Sequence, residues 1–193
     1  MASSKIVVVD YGMGNLLSVR RGLETCGASV EVTSDPNEIA SAKKLVLPGV
    51  GAFQDGMRGL TERGLVDPIH RAIASGAKLM GICLGMQMLM ENSTEHGFCE
   101  GLGLIPGSVD AIPSHNDHSL IRKTPHIGWT ALSTNRAGVE WKQSLLMNTS
   151  PGDFMYFVHS FTALPNNVHT LATCDYLGYQ VTAAVQKDNV CGF

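Results

Sequence analysis

Three short aliphatic runs, each passing directly into glycine-rich turn chemistry, constrain this chain more than any other feature. Lys5-Ile-Val-Val-Val-Asp10 leads into Tyr11-Gly-Met-Gly-Asn15, Lys44-Leu-Val-Leu-Pro48 into Gly49-Val-Gly51, and Lys78-Leu-Met-Gly-Ile82 into Cys83-Leu-Gly85. Apolar runs of this length, without polar alternation, predict strands buried on both faces, as in a parallel sheet. The segments between them have helical texture. Leu16, Val19, Leu23 and Cys26 fall on one side of a helix that Gly27 can close. Ser29 to Thr33 reads as a further strand, and Asp35-Pro36 opens a short helix with proline in its first turn. A glycine-punctuated helical region ends around Asp67 to Ser75, and another helical run follows Ile82 through Glu91. Strands alternating with helices need crossover connections. They predict an α/β fold with a doubly wound, mainly parallel sheet and helices on both faces.

After Gly97 the pattern becomes β-rich. Ser108–Ile112, Ile127–Leu132, Phe154–Val158, Thr170–Thr173, Gln180–Val185 and Asn189–Phe193 are strand-like and joined by turns carrying Pro and Asn. No repeat and no linker separates the halves, so residues 1–193 are expected to form one domain. With 44% hydrophobic and 16% charged residues the chain can build a core and is not disordered. A formal net charge of −3 argues against binding nucleic acid or an anionic membrane surface. The most apolar stretch, Leu79 to Met90, is interrupted by Gly81, Gly85 and Gln87, short of the ~18–20 residues of a membrane span. Met-Ala-Ser-Ser-Lys lacks the features of a signal peptide. The 5 cysteines are odd in number and form no Cys-x-x-Cys pair, which argues against a disulfide framework or a zinc site. A soluble protein of the cytoplasm is the expectation.

Gly81-Ile-Cys83-Leu-Gly85 carries the sharpest chemical signal. It has the form of a nucleophile elbow, with cysteine where a hydrolase has serine. Small neighbours let the backbone turn sharply and expose the sulfur above the sheet. The helix that follows is expected to favour thiolate, and the Leu84 amide to donate to an oxyanion. A buried thiol packed as a small hydrophobe is the competing reading of those five residues. The loop Pro48-Gly-Val-Gly51, at the end of a neighbouring strand, favours the nucleophile, because doubly wound sheets gather their sites at such strand ends.

Other motifs are weaker. Gly12-Met-Gly14 has the start of a dinucleotide fingerprint, but Leu17 occupies its third glycine position, so a plain turn is expected. His115-Asn-Asp-His118 lacks further ligands at metal spacing and reads as a solvated loop. Met86, Met88 and Met90 read as adaptable core packing, and Lys43-Lys44 as a surface pair. No cofactor and no metal is expected.

Taken together, the motifs resemble the class I, triad-type glutamine amidotransferases, most closely the HisH-type glutaminase subunits of imidazole glycerol phosphate synthase. The matching segments are Val9-Asp-Tyr-Gly-Met-Gly-Asn-Leu16, Leu47-Pro-Gly-Val-Gly51, Gly81-Ile-Cys-Leu-Gly-Met-Gln87, Gly101-Leu-Gly-Leu-Ile-Pro-Gly107, Pro125-His-Ile-Gly-Trp129 and Tyr156-Phe-Val-His-Ser160. They occur in family order and span nearly the whole chain. The resemblance implies that Cys83 attacks glutamine to form a γ-glutamyl thioester and release ammonia. It assigns oxyanion donors to Val50, Gly51 and Leu84, and glutamine binding to Gly49, Gly51, Gln87, Ser160 and Phe161. Phe161 stands where the family often has Tyr. In the family the oxyanion loop is thought to rearrange before its amide faces the site. The implied partner is a (β/α)₈-barrel cyclase subunit that uses the ammonia to make imidazole glycerol phosphate and the aminoimidazole carboxamide nucleotide in histidine biosynthesis.

One departure stands out. The family takes its base and orienting carboxylate from a Gln-Phe-His-Pro-Glu segment that follows the strand reading Asn189-Val-Cys-Gly-Phe193 here. The last histidine of this sequence is His169, and His-x-Glu does not occur in it. The family's Phe-Val-His-Ser histidine, here His159, is not the base. The expectation is therefore a chain shortened before its usual C-terminal loop and helix, with impaired glutaminase activity. The alternatives are a catalytically silent subunit that binds the cyclase, or a paralogous amidotransferase serving another synthetase.

Overall fold

The computed structural model describes residues 5–115, 121–134 and 141–193. The first half alternates as its apolar pattern predicts: β1 Ile6–Val9, α1 Leu16–Thr25, β2 Val30–Thr33, α2 Pro36–Ser41, β3 Lys44–Gly49, α3 Phe53–Glu62, α4 Val66–Ala74 and β4 Lys78–Cys83. Local signals end these elements where expected. Asn15 caps α1 by accepting from Ser18 N, and Gly27 follows it at φ 82°. Asp35 caps α2 by accepting from Asn37 N and Glu38 N, with Pro36 in the first turn.

The second half contributes α5 Leu84–Gln87, β5 Asn92–Ser93, β6 Cys99–Glu100, β7 Gly107–Ala111, β8 His126–Ser133, β9 Phe154–His159, β10 Phe161–Pro165, β11 Thr170–Tyr176, β12 Tyr179–Lys187 and β13 Val190–Gly192. A nine-stranded sheet has the order β2-β1-β3-β4-β13-β12-β11-β8-β9, beside a four-stranded sheet β10-β7-β5-β6. The large sheet is parallel from β2 to β13 and antiparallel from β13 to β9. Its parallel half is wound in both directions from β1. Because crossovers are right-handed, α1 lies on the face opposite α2, α3 and α4. The larger core lies on the latter face, where Val7, Val9, Leu45, Leu47 and Leu79 meet Ile39, Phe53, Leu60 and Ile69.

Three expectations change. The helical run after Ile82 stops after one turn, at Gln87, and Asn92–Ser93 is a strand. Continuation of the helix would need the carbonyls of Met88, Leu89 and Met90, and these accept instead from Leu102, Gly103, Leu104 and Ile105 N–H groups at 2.8–3.0 Å. Tertiary pairing thus overrides helical spacing. The strand β10, hidden by its proline and short length, pairs antiparallel with β7 and joins the second sheet. On α1, Leu16, Val19 and Leu23 are half-buried, whereas Cys26 is the exposed C-cap. Leu17 is 58% exposed in the first turn of α1, and Gly12–Gly14 lie in the turn expected of them.

Met88 and Met90 are fully buried and Met86 nearly so, in line with core packing. His115 bridges Ile121, while residues 116–118 of the His115–His118 stretch lie outside the described residues. Among the described residues, no helix is long and apolar enough to cross a membrane.

Candidate active site

The elbow forms because β4 must reverse at its last residue. Cys83 adopts φ 55° and ψ −115°, a conformation that side chains other than glycine rarely take. Such geometry costs about 1–3 kcal/mol and persists only where its surroundings impose it. Here they do so from both sides. Cys83 N–H donates to the Phe193 carbonyl at 2.7 Å, and Phe193 N–H to the Gly81 carbonyl at 3.1 Å. On the other side β3 runs in parallel register, Gly49 beside Cys83. The flanking glycines are sterically required: a Cβ on Gly85 would lie 1.8 Å from the Leu47 carbonyl oxygen, and one on Gly81 2.7 Å from the Gly85 backbone. The sulfur consequently stands at the surface rather than in the core.

The turn that follows is short, and this corrects the expected electrostatics. A four-residue helix carries little macrodipole, since the dipole builds with aligned peptides. Partial burial in the cleft pushes the Cys83 thiol above its ordinary value, and the Leu84 amide alone pulls the other way. In this state the thiol form is favoured, and activation falls to whatever the site receives when it is engaged. The Leu84 N–H, at the first helical position, has no carbonyl four residues earlier within the helix to bond. It is accordingly suited to an oxyanion.

A cleft of ≈ 430 Å³ opens above the sulfur, lined by Val50, Gly51, Cys83, Leu84, Gln87, Glu95, Pro125, Val158, His159, Ser160 and Phe161. It gathers all but one of the residues singled out from the sequence. The exception, Gly49, is buried beneath the cleft, where a Cβ would lie 2.5 Å from Tyr11 Oη and 2.9 Å from Leu84 Cβ. Its role is to let β3 approach the elbow. The loop is tied at Pro48 by Tyr11 Oη and reaches the surface beyond Gly49, where Val50 is 53% exposed and Gly51 has φ 101°.

Ser160 and Phe161 lie where the chain leaves the large sheet at β9 and enters the small one at β10. The Ser160 carbonyl is fixed by Ile112 N–H at 2.9 Å. The Phe161 carbonyl accepts from Gln87 Nε2 at 3.1 Å and faces His159 Nδ1 at 2.7 Å. Without a hydroxyl on residue 161, polar contact there is left to the backbone.

Three contributors escape sequence reading. Tyr11 is fully buried, and its Oη donates to the Pro48 carbonyl at 2.8 Å, tying the oxyanion loop to β1. Burial, and next the nearby Cys83, push its phenol upward, so it remains a donor. Glu95 enters the cleft from the β5–β6 turn and accepts from Phe53 N–H at 2.8 Å, capping α3. His159 lines the cleft although the motif gives it no catalytic part. Only the position of Tyr11 before the first glycine turn, and that of His159 before Ser160, offered any signal.

The geometry suits acyl transfer: a nucleophile at a strained elbow, backbone donors beside it, and a cleft with side-chain and main-chain polar groups for a small amide. The comparisons agree. The class I glutamine amidotransferase family model matches residues 7–193. Imidazole glycerol phosphate synthase subunit HisH 1 of Legionella pneumophila (strain Lens) is 47% identical over 190 residues, covering 98% of this chain and 89% of that protein. The HisH subunits of Syntrophotalea carbinolica and Geobacter sulfurreducens are 44% and 43% identical, each over 88% of their length. Among solved structures, a glutamine amidotransferase matches with TM-score 0.69 at 17% identity, covering 96% of this chain and 87% of that one. Another, from Thermotoga maritima, matches with TM-score 0.64 at 13% identity, over 100% of this chain and 75% of that one. At those identities the structures speak for the fold, while the family model and the sequence relatives speak for descent: this chain belongs to the class I glutamine amidotransferase family.

Proposed function

We propose that this chain is a HisH-type glutaminase subunit, hydrolysing glutamine to glutamate and ammonia and passing the ammonia to a cyclase subunit in histidine biosynthesis. The observation that carries the reading is the convergence of the Cys83 elbow, the Val50–Gly51 loop and the Gln87–Phe161 pair on one cleft. The Cys83 thiolate attacks the side-chain carbonyl carbon of glutamine. The oxygen takes the negative charge and is met by the Leu84 amide and, once the loop turns inward, by an amide of Val50 or Gly51. The nitrogen takes up a proton, collapse of the adduct then breaks the C–N bond to release ammonia and leave a thioester, and water cleaves the thioester to glutamate and the free thiol. Gln87, Ser160 and Phe161 hold the substrate, and Gly49 keeps the loop's base against the elbow.

Proton transfer needs a base, and His-x-Glu, which supplies it in the family, does not occur among the 193 residues.

An exposed apolar ribbon supports the partner. Ile127 and Trp129 on β8 and Phe154, Tyr156 and Val158 on β9 are each more than half exposed, and Trp129 and Tyr156 meet edge-on at 5.7 Å. A patch rich in aromatic residues on a soluble domain marks an interaction surface. Val158 belongs to both ribbon and cleft, so a partner seated there covers the mouth through which ammonia leaves. Co-purification with a cyclase subunit, followed by assay of glutamine-dependent cyclisation, tests the reading. Ammonia-dependent but not glutamine-dependent cyclisation by the complex would leave the chain a binding subunit only.

A further inference from the structure

Two histidines meet behind the cleft, one from each strand of the exposed ribbon. His126, the first residue of β8, is in register with His159, the last residue of β9. His126 is 1% exposed. Its ring stacks on Phe157 and Tyr176, with centroids 5.0 and 4.1 Å away, and His159 stands edge-on at 5.2 Å and 61°. One nitrogen of each ring is committed. His159 Nδ1 faces the Phe161 carbonyl, which can only accept, so Nδ1 carries the proton and Nε2 presents a lone pair. His126 Nε2 lies 2.9 Å from Thr130 Oγ1. The remaining nitrogens, His126 Nδ1 and His159 Nε2, are buried and have no hydrogen-bond partner among the described residues.

Buried polar nitrogens are rarely left unpaired, and two adjacent ones call for a common explanation. One tautomer assignment makes them complementary. If Thr130 Oγ1–H donates to His126 Nε2, the His126 proton sits on Nδ1, a donor beside the lone pair on His159 Nε2. The centroids are 5.2 Å apart, a separation that an N–H···N hydrogen bond between two imidazole rings can span.

We propose that glutamine binding closes this gap, with His126 Nδ1–H donating to His159 Nε2, and that the two histidines act as a positioning relay between the ribbon and the substrate cleft. The completed series runs from Thr130 Oγ1–H to His126, from His126 to His159, and from His159 Nδ1–H to the Phe161 carbonyl. That carbonyl also holds Gln87 Nε2. No proton changes owner along it. The relay fixes orientation, so that a shift of the ribbon at Trp129 and Thr130 reaches the groups that hold the substrate amide. The inference rests on the glutaminase reading, because glutamine is the ligand that closes the gap.

The test uses the chain with ring-¹⁵N histidine, observed by long-range ¹H–¹⁵N correlation with and without L-glutamine. Both rings are expected to be neutral and protonated on Nδ1 before ligand is added. Saturating glutamine is expected to produce a ¹⁵N–¹⁵N coupling across the hydrogen bond between His126 Nδ1 and His159 Nε2. A proton on His159 Nε2, or no coupling at saturation, overturns the relay. Calorimetric titration with glutamine supplies a second arm. His126→Phe keeps a stacked ring and removes both nitrogens, and is expected to raise Kd roughly tenfold, the worth of about one hydrogen bond. His126→Asn, which restores an N–H near the Nδ1 position, is expected to recover most of that loss. An unchanged Kd for His126→Phe contradicts the relay while leaving the glutaminase reading intact. Failure of the unaltered chain to bind glutamine defeats the glutaminase reading itself, and the relay with it.

Discussion

The elbow and the ribbon, on either side of one cleft, are built in opposite ways. Around Cys83 the backbone is closely confined: Gly81 and Gly85 leave no space for a methyl group, Phe193 holds the Gly81 carbonyl and the Cys83 amide, Tyr11 holds the Pro48 carbonyl on the neighbouring strand, and Leu47, Leu79 and Leu84 are almost wholly buried. Across the cleft, β9 alternates exposed and half-buried residues, and its last residue has a ring nitrogen with no hydrogen-bond partner among the described residues. The elbow holds a strained nucleophile in one geometry. The ribbon ends beside the groups that the proposed function assigns to substrate, Ser160 and Phe161, and its exposed apolar side chains offer the surface proposed for a partner. On the proposed function, the difference teaches where regulation can enter: the confined elbow keeps the sulfur in place, and the His126–His159 pair across the cleft acts on the groups that hold substrate.

The contrast can be broken most severely at the elbow. Cys83→Ala is expected to abolish thioester formation, read as complete loss of labelling by a glutamine-analogue electrophile, with the fold retained. Gly85→Ala forces a Cβ against the Leu47 carbonyl and is expected to lower stability by about 3 kcal/mol or more, measured by chemical denaturation. If it costs less than about 1 kcal/mol, the elbow is not as rigid as described.

On the ribbon the same kind of change acts elsewhere. Trp129→Ala is expected to leave stability within about 0.5 kcal/mol and to weaken binding to the cyclase partner by about 2 kcal/mol, nearly 30-fold. Equal effects on folding and binding would show the ribbon to be part of the core. Tyr11→Phe sharpens the boundary between the two regions. Loss of the Pro48 tie is expected to cost about 1 kcal/mol of stability. Its labelling by the glutamine analogue should also slow several-fold, while simple alkylation by iodoacetamide stays unchanged, because only the former uses the oxyanion loop.

The smallest effect is a pH dependence. Burial raises the Cys83 thiol, so less thiolate is present at neutral pH than for an ordinary cysteine. The alkylation rate of Cys83 should keep rising with pH beyond the point where that of free cysteine in solution levels off. A plateau at lower pH than that of free cysteine would place a thiolate-stabilising group at the elbow.

Much of the rigid half is legible in the sequence. Aliphatic runs, capping residues and glycines act locally, so strands, helix ends and the Cys83 elbow follow from neighbours along the chain. The short α5 is not legible, because its continuation is lost to hydrogen bonds from residues 102–105, which no local rule contains. Family position assigns Gly49 to the cleft, whereas its buried place depends on Tyr11, in the turn after β1. The ribbon side is read less well for the same reason. The partners of His126, His159 and the Phe161 carbonyl are set by two sheets meeting, and the strand after Ser160 ends in a proline that conceals it.

Peptide mapping after reaction with 6-diazo-5-oxo-L-norleucine addresses the central claim, that Cys83 is the nucleophile of a glutamine site. The account predicts a single covalent adduct on Cys83, suppressed by L-glutamine and absent in Cys83→Ala, with exposed Cys26 unmodified. Adducts spread over Cys26 and other exposed thiols, or an adduct on Cys83 that glutamine does not suppress, would contradict it.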